Sequence, residues 1–165
     1  MSIELIVLDV DGTMTDSRIT YSENGDEIKA FNVKDGLAIV SWMKLGKKVA
    51  IITGRSSKIV ERRARELHIE YYYQGCNDKL TRLQALIDKL GISMENVAVI
   101  GDDLNDYRML EAAQVSFVPR DASEYVDRIA SVILTQNGGD GAVREMIEYL
   151  IRKEGLEEKF LDLWR

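Results

Sequence analysis

Residues 3–15 read Ile-Glu-Leu-Ile-Val-Leu-Asp-Val-Asp-Gly-Thr-Met-Thr, and this is the most informative stretch of the chain. The apolar run over residues 3–8 predicts a buried parallel strand, which Asp9 and Asp11 follow at its carboxyl end. Two carboxylates at i and i+2 of an extended segment leave it on the same side, at the edge where open α/β sheets place their ligands. Gly12 then allows a sharp turn. Because Asp-Gly is also a common turn dipeptide, the pair alone leaves a plain turn open.

The two neighbouring carboxylates indicate phosphoryl-transfer chemistry. Like charges in a small space are unfavourable unless a cation lies between them or one of them holds a proton. Both conditions suit a site in which Mg²⁺ binds carboxylate oxygens, one Asp attacks as nucleophile and the other transfers a proton. We therefore treat Asp9 and Asp11 as candidate catalytic residues.

The composition indicates one globular domain with a full core. The chain has 165 residues, of which 45% are hydrophobic and 30% charged, and its formal net charge is −6. This acidic balance argues against nucleic acid as a partner, because non-specific binding needs a cationic surface. No apolar run approaches the about 18 residues of a membrane span, and the first residues lack a basic segment typical of a signal peptide. With Cys76 as the one cysteine, we expect a reducing, cytoplasmic location and no membrane partner.

Strand and helix patterns alternate along the remainder of the chain. A hairpin is predicted over residues 18–32, because Asn24-Gly25 lies between two short alternating runs. The predicted core strands cover residues 48–52, 69–73, 97–100, 115–118 and 131–134. The predicted helices cover residues 35–45, 78–90, 105–113, 123–129 and 141–153, with another from a cap at Ser56 to about residue 67 and an amphipathic turn or two over 156–165.

This alternation predicts the α/β fold class. We expect one domain over residues 1–165, a Rossmann-like three-layer sandwich with a central parallel sheet and a small β-hairpin. The intervals 12–53 and 79–101 leave no room for an inserted domain, which needs about 50 residues beyond the predicted elements. The sequence therefore predicts no cap domain over the site.

Polar residues recur where the predicted strands end. Thr53 and Gly54 follow one strand, Asp102 and Asp103 follow another, and Lys79 opens a helix after a third. In a parallel sheet these ends meet at one edge, where carboxylates bind Mg²⁺ while a hydroxyl, an ammonium and free backbone N–H groups bind phosphate oxygens. Each group alone could be a strand exit, a solvated helix start or a helix cap. Their joint occurrence with the Asp9–Asp11 pair favours a phosphate site.

Four motifs give the chain a family resemblance. Asp9–Thr13, Thr53, Lys79 and Gly101–Asp106 resemble the four motifs of the haloacid dehalogenase superfamily of phosphatases, and the resemblance spans residues 3 to about 148. It implies that Asp9 becomes an aspartyl phosphate and that Asp11 is the general acid and base. It further implies phosphate binding by Thr53, Gly54 and Lys79, Mg²⁺ binding by Asp9, the main-chain carbonyl of Asp11 and Asp102, and supporting roles for Asp103 and Asp106.

Longer motifs resemble a subfamily. Residues 25–36, 51–57, 60–64 and 138–145 are similar to the 3-deoxy-D-manno-octulosonate 8-phosphate phosphatases of lipopolysaccharide biosynthesis. The resemblance implies a Mg²⁺-dependent homotetramer whose hairpins, here residues 18–32, meet one another, with active sites at subunit interfaces. It also implies that the glycine-rich C-terminal segment, residues 136–165, can fold over a site.

Arginines indicate how a phosphorylated sugar acid would be bound. Arg55 lies one residue past the phosphate-binding turn and can reach the substrate carboxylate with a bidentate fork. The resemblance implies a cross-subunit carboxylate contact by Arg63, although the arginines of this helix could equally form a solvated face paired with Glu61 and Glu66. A related subfamily, which acts on a nine-carbon 2-keto acid 9-phosphate, tends to carry Glu at the position of Arg55.

Other functions stay open at this point. The same chemistry could act on the nine-carbon 2-keto acid 9-phosphate or on several sugar phosphates, and a regulatory or oligomerising module is a non-enzymatic alternative. A bacterial receiver domain also combines an Asp pair, a phosphorylated Asp, a Thr and a Lys. In a receiver, however, the phosphorylated Asp would fall about where Thr53 lies, and Asp102 and Asp103 would have no role.

Overall fold

The computed structural model describes residues 2–165 and confirms the predicted central parallel sheet. The strands are β1 (Leu5–Leu8), β2 (Thr20–Tyr21), β3 (Glu27–Ile28), β4 (Lys48–Ile52), β5 (Tyr71–Tyr73), β6 (Val97–Ile100), β7 (Val115–Val118) and β8 (Val132–Ile133). Six of them form one sheet in the order β5-β4-β1-β6-β7-β8, in which every neighbouring pair is parallel. In this register Leu8 lies beside Ile51 and Ile100, so the chain leaves β1, β4 and β6 at the same edge.

Helices cover both faces of the sheet, as a parallel sheet requires. They are α1 (Val33–Lys44), α2 (Lys58–Glu66), α3 (Lys79–Leu90), α4 (Tyr107–Ala112), α5 (Glu124–Asp127), α6 (Ala142–Lys153) and α7 (Glu157–Asp162). Ile6 and Leu8 of β1 face the core under α1, α2 and α6, whereas Leu5 and Val7 face the core under α3, α4 and α5. Burial on both sides explains why β1 is a continuous apolar run. The helices of residues 2–165 are too short or too polar to serve as membrane spans.

Helix starts differ from the sequence-based expectation where side chains bind the backbone. Ser57, not Ser56, caps α2, because its side chain accepts a hydrogen bond from the Ile59 backbone N–H at 3.1 Å. The single helix predicted over 105–113 begins instead as a 3₁₀ turn, Leu104–Asp106, and becomes α-helical at Tyr107. The Asp106 side chain accepts hydrogen bonds from the backbone N–H groups of Asp102 and Asp103, which draws this turn tight.

The hairpin forms a separate two-stranded antiparallel sheet. Strands β2 and β3 pair through residues 20–21 and 27–28, and Gly25 between them has a φ of +85°. Tyr21 and Ile28 are 62% and 51% exposed. Because Tyr21 pairs with Glu27 and Ile28 with Thr20, the two large apolar side chains lie on opposite faces of the hairpin. Between Gly12 and Thr53 the chain holds this hairpin, α1 and β4, in agreement with the expectation of no cap domain.

A buried carboxylate joins α1 to α6. Asp35, 2% exposed, accepts a hydrogen bond at 2.9 Å from the backbone N–H of Arg144 in the first turn of α6. That N–H has no partner within its own helix, and Gly141 at the N-cap offers no side chain, so Asp35 serves as the cap of α6. Burial raises the pKa of Asp35 to about 6, although the Arg144 N–H and the Arg63 charge oppose this rise.

The pKa of Asp35 predicts a pH-dependent contribution to stability. The pKa of Asp35 in the folded chain, about 6, lies above the ordinary value of 3.8. At a pH between these two values, Asp35 therefore holds a proton in the folded chain that it has released in the unfolded chain. Stability from this group is therefore present below pH ~4 and is lost as pH rises through ~6. Asp35→Asn keeps an acceptor for Arg144 and removes the titration. The unfolding free energy of the wild type minus that of the variant should fall by up to about 3 kcal/mol from pH ~4 to ~7.

Urea unfolding of both proteins across this pH range makes the measurement. Because all other titrating groups are shared, they cancel in the difference. A difference that stays constant with pH would show that Asp35 titrates normally in the folded chain.

Candidate active site

Three carboxylates meet at the sheet edge. Asp9 follows β1, Asp102 follows β6, and Asp106 lies in the 3₁₀ turn beyond it. Three carboxylate oxygens, one from each of these residues, all lie within 4.8 Å of one another. Asp9 is 4% exposed and Asp106 fully buried, so this carboxylate cluster (Asp9, Asp102 and Asp106) is largely shielded from water.

Lys79 lies against the carboxylate cluster and is itself buried. Its Nζ is 2.7 Å from Asp9 Oδ1 and 2.6 Å from Asp106 Oδ1. Asp78 caps α3 at this point and so fixes where the Lys79 side chain begins. The interpretation of Lys79 as a solvated helix start is therefore wrong, because its ammonium forms a buried bridge between the carboxylates of Asp9 and Asp106.

Asp106 holds both the lysine and the backbone of the neighbouring turn. Its Oδ1 accepts from Lys79, and its Oδ2 accepts from the backbone N–H of Asp102 at 3.0 Å. A side chain on Gly101 would place its β-carbon 2.5 Å from the Asp106 carboxyl carbon, so only glycine allows this approach. Since both oxygens of Asp106 are engaged, it supports the site, while Asp9 and Asp102 keep oxygens for a ligand.

The electrostatics of the carboxylate cluster favour a bound cation. Burial, followed by the nearby Asp106, raises the pKa of Asp9 to about 6. Burial, followed by Asp9, raises the pKa of Asp102 to about 9. Burial alone would lower the pKa of Lys79, but Asp9 and Asp106 outweigh it and raise that pKa. One ammonium faces three carboxylates, and a hard divalent cation on their oxygens would relieve the remaining repulsion.

The Asp11 side chain lies outside the carboxylate cluster. Its Oδ1 is 2.6 Å from Nζ of Lys29, which comes directly after hairpin strand β3. The turn between Asp9 and Thr15 is tight: the Val10 carbonyl accepts from the N–H of Met14 at 2.9 Å, and Gly12 N–H donates to the Thr15 hydroxyl at 3.1 Å. Asp9 and Asp11 therefore have different ion-pair partners, Lys79 and Lys29.

Gly12 is required by this geometry in two ways. Its φ is +93°, in the region that favours glycine, and a β-carbon there would lie 1.9 Å from Asp102 Oδ2. Gly138 approaches the same turn, since its own β-carbon would lie 1.9 Å from the Gly12 carbonyl oxygen. Gly139 N–H also donates to the Thr13 carbonyl at 3.1 Å. The glycine-rich stretch before α6 therefore packs on the turn that carries Asp11 in its own chain.

Thr53 and Gly54 lie at the end of β4, which pairs with β1, the strand that Asp9 follows. Thr53 is 2% exposed, and its backbone N–H donates to the Tyr73 carbonyl at 3.0 Å. Its carbonyl accepts from the N–H of Cys76 at 3.0 Å, so the loop before α3 is hydrogen-bonded to this strand end. A β-carbon on Gly54 would make ordinary van der Waals contacts, the nearest at 3.6 Å, so a side chain there would not clash.

The remaining sequence-predicted residues lie farther out. Arg55 is half exposed, with Nη2 3.7 Å from Glu27 Oε1 of the hairpin. The Arg63 side chain is 18% exposed, donates to the Asn32 carbonyl at 3.4 Å and lies 5.5 Å from the Phe31 ring. Asp103 is exposed and accepts from the Leu104 N–H at 2.8 Å, so its side chain caps the 3₁₀ turn and does not join the carboxylate cluster.

Sequence reasoning missed Lys29 and Glu27. The Lys29 side chain is fully buried, whereas the apolar Ile28 beside it is 51% exposed. The alternation in β3 is therefore inverted: the charged residues face the site and the apolar residue faces away. Charges at every second position of a strand are a signal that could have pointed to them, but which face meets the site depends on how the hairpin packs.

The chain is similar to known phosphatases in sequence. A family model described as haloacid dehalogenase-like hydrolase matches residues 77–147. The chain is 43% identical over 161 residues to the 3-deoxy-D-manno-octulosonate 8-phosphate phosphatase of Escherichia coli K12, with 93% of this chain and 82% of that protein covered. It is 36% identical over 159 residues to the Haemophilus influenzae protein of the same name, with coverages of 96% and 88%.

Solved structures of such proteins superpose closely. The 3-deoxy-D-manno-octulosonate 8-phosphate phosphatase from Moraxella catarrhalis, in complex with magnesium, phosphate and KDO, has a TM-score of 0.95 and 40% identity, covering 99% of this chain and 94% of that one. The cobalt-bound form of the Haemophilus influenzae phosphatase has a TM-score of 0.89 and 37% identity, covering 93% and 90%.

Gly12→Ala should disrupt the cation site. The new methyl group would overlap the Asp102 carboxylate, so we expect Mg²⁺ binding to weaken at least about tenfold, as when the partner of a metal ligand is displaced. Gly25→Ala is the matched control, because Gly25 also has a positive φ but open space around it. Titration calorimetry with Mg²⁺ measures both. Equal affinity in the two variants would show that the contact between Gly12 and Asp102 does not shape the site.

Proposed function

We propose a specific reaction for this chain, which belongs to the 3-deoxy-D-manno-octulosonate 8-phosphate phosphatase family of haloacid dehalogenase-like hydrolases. It is a Mg²⁺-dependent phosphatase that hydrolyses 3-deoxy-D-manno-octulosonate 8-phosphate (KDO 8-phosphate) to 3-deoxy-D-manno-octulosonate and phosphate, a step of lipopolysaccharide biosynthesis. The observation that carries this proposal is the buried contact of Lys79 with Asp9 at the strand-end carboxylate cluster. Its placement matches a nucleophile next to a phosphate-binding cation.

The first step transfers the phosphoryl group to the protein. Asp9 attacks phosphorus, and the bond between phosphorus and the sugar oxygen breaks. Asp11 donates a proton to that leaving oxygen, which is a poor leaving group without it. The Lys79 ammonium, 2.7 Å from Asp9 Oδ1, orients the nucleophile and binds a phosphoryl oxygen. The products of this step are the free sugar acid and an aspartyl phosphate.

The second step returns Asp9 to its starting state. Asp11 now takes a proton from a water molecule, whose oxygen attacks the aspartyl phosphate and releases inorganic phosphate. Thr53 and the backbone of Gly54 bind the phosphoryl oxygens at the end of β4. Mg²⁺, when held by Asp9, Asp102 and the Asp11 main-chain carbonyl, supplies positive charge to the phosphoryl oxygens. Asp106 keeps Lys79 in place, and Asp103 supports the site through the turn that it caps.

Arg55 is the proposed contact for the substrate carboxylate. It follows the Thr53–Gly54 turn directly, and half of its side chain is exposed. A guanidinium there would bind a 2-keto acid in a bidentate manner while the phosphate reaches the carboxylate cluster. The related subfamily that acts on the nine-carbon 2-keto acid 9-phosphate tends to carry Glu at this position. Arg55 therefore favours the eight-carbon substrate.

Arg55→Ala should lower kcat/KM on KDO 8-phosphate about tenfold or more, because it removes a charged group that binds the substrate carboxylate. The loss should be much smaller on a sugar phosphate that lacks a carboxylate. Phosphate release from KDO 8-phosphate, the nine-carbon analogue and neutral sugar phosphates, each with and without Mg²⁺, makes the measurement. The wild type should prefer KDO 8-phosphate and need Mg²⁺.

Asp9→Asn provides the inactive reference, since an isosteric amide cannot act as this nucleophile. It should retain less than about a percent of the wild-type rate. Broad, weak activity across the panel would remove the substrate assignment, and retention of more than about a percent of the rate in Asp9→Asn would remove Asp9 as the nucleophile. No wild-type activity on any phosphate ester would favour the regulatory module.

The hairpin is the proposed contact in a homotetramer. Tyr21 and Ile28 expose apolar surface on a two-stranded sheet, which is marginally stable without a further partner. Hairpins of residues 18–32 from neighbouring copies would cover this surface, exclude water from each site, and bring Arg63 to the carboxylate of a neighbour's substrate. We further propose that part of residues 136–165 covers a neighbouring site. A cytoplasmic location also stays a prediction, which cell fractionation would test.

Ile28→Asp should break the tetramer, because it puts a charge into the proposed apolar contact. Light scattering should give a mass of about four chains for the wild type and a smaller mass for the variant. Ile133→Asp is the matched control, since Ile133 is 54% exposed on β8, far along the chain from the hairpin. A monomeric wild type, or a tetrameric Ile28→Asp, would contradict the proposed contact.

A further inference from the structure

The hairpin sends one side chain to the catalytic turn. Lys29, just after β3, has a fully buried side chain, and its Nζ lies 2.6 Å from Asp11 Oδ1 and 3.2 Å from Glu27 Oε1. The Asp11 side chain is 20% exposed, and its buried oxygen, Oδ1, is the one that faces Lys29. Within the residues that the structure describes, Lys29 is the only ion-pair partner of Asp11.

We propose that Lys29 is a positioning residue for proton transfer by Asp11. It touches Asp11 and not the carboxylate cluster, so it acts on the reaction through the residue that protonates the leaving oxygen. This inference rests on the proposed function, since it assumes that Asp11 is the general acid.

The Asp11 contact is part of an alternating row of charges. Glu27 Oε1 lies between Lys29 Nζ at 3.2 Å and Arg55 Nη2 at 3.7 Å. The row therefore runs Asp11, Lys29, Glu27, Arg55 with signs −, +, −, +, from the proposed general acid to the proposed carboxylate contact. Because two members belong to the hairpin, the orientation of Asp11 depends on the position of the hairpin.

Stability alone does not account for a buried lysine at this position. Removing an ammonium from water costs several kcal/mol, and buried ion pairs are on average no more stabilising than well-packed apolar residues. An apolar residue at position 29 would let β3 pack with less desolvation. What an apolar residue cannot do is hold the Asp11 carboxylate by its charge. Orientation of Asp11 is the property that Lys29 supplies.

Substrates with different leaving groups separate this role from a general loss of structure. KDO 8-phosphate and glucose 6-phosphate both release an alkoxide, which needs a proton donor, but only the first has a carboxylate. p-Nitrophenyl phosphate releases a phenolate that departs without general acid help. kcat/KM is the quantity to compare, because it excludes the later hydrolysis of the aspartyl phosphate.

Lys29→Met keeps an unbranched side chain that is one atom shorter and removes its charge. We expect kcat/KM to fall at least about 30-fold on both alkyl phosphates and less than about threefold on p-nitrophenyl phosphate, since general acid catalysis typically contributes a hundredfold or more. Asp11→Asn should give the same pattern with a larger alkyl loss. Lys29→Arg, which retains a positive charge, should recover most of the ratio between alkyl and aryl rates.

Three outcomes would overturn the proposal. An equal loss on all three substrates would make Lys29 a structural residue, and a loss confined to KDO 8-phosphate would make it a substrate contact. No loss on any substrate would remove the role altogether. If Lys29→Met does not fold, Lys29→Gln is judged by the same criterion.

Asp11→Asn separates this inference from the proposed function. If it discriminates alkyl from aryl substrates but Lys29→Met does not, the inference alone fails. If Asp11→Asn does not discriminate, the role of Asp11 and the inference both fail.

Discussion

The bridge from Lys79 to Asp9 and Asp106 is the interaction on which the site depends. It offsets part of the repulsion among three carboxylates, which together with burial raises the pKa values of Asp9 and Asp102. A single ammonium leaves the carboxylate cluster negative. The same imbalance that is unfavourable for the free chain makes the cluster a binding site for a divalent cation and, through that cation, for a phosphate ester.

Close backbone approach is the second constraint, and glycines provide it. Gly12 lets its turn pass beside Asp102, and Gly101 makes room for the Asp106 carboxylate. Gly138 in turn packs against Gly12 from the glycine-rich stretch before α6, the helix that Asp35 of α1 caps. The turn that carries Asp11 is thus contacted by this stretch and, through Lys29, by the hairpin. Residues distant in sequence therefore meet at one turn.

Sequence patterns predicted the central sheet because its strands are continuous apolar runs, and β4, β6 and β7 begin and end where expected. The placement of Asp9 and Asp102 after strands, and of Lys79 at a helix start, also predicted that these side chains lie close together, since a parallel sheet brings its strand ends to one edge. The burial of Asp106 and the pairing of Lys29 with Asp11 could not be predicted. Both depend on tertiary packing, in which a short turn or a hairpin selects the side chains that face inward, and local periodicity carries no information about that choice.

The most direct test of the carboxylate cluster is calorimetric titration of the metal-stripped chain with Mg²⁺, beside Asp102→Asn. We predict saturable binding of about one ion per chain in the wild type, and affinity at least about tenfold weaker in the variant, which loses one charged ligand. Binding of equal strength in Asp102→Asn, or no binding by the wild type, would contradict the view that these carboxylates form a cation site.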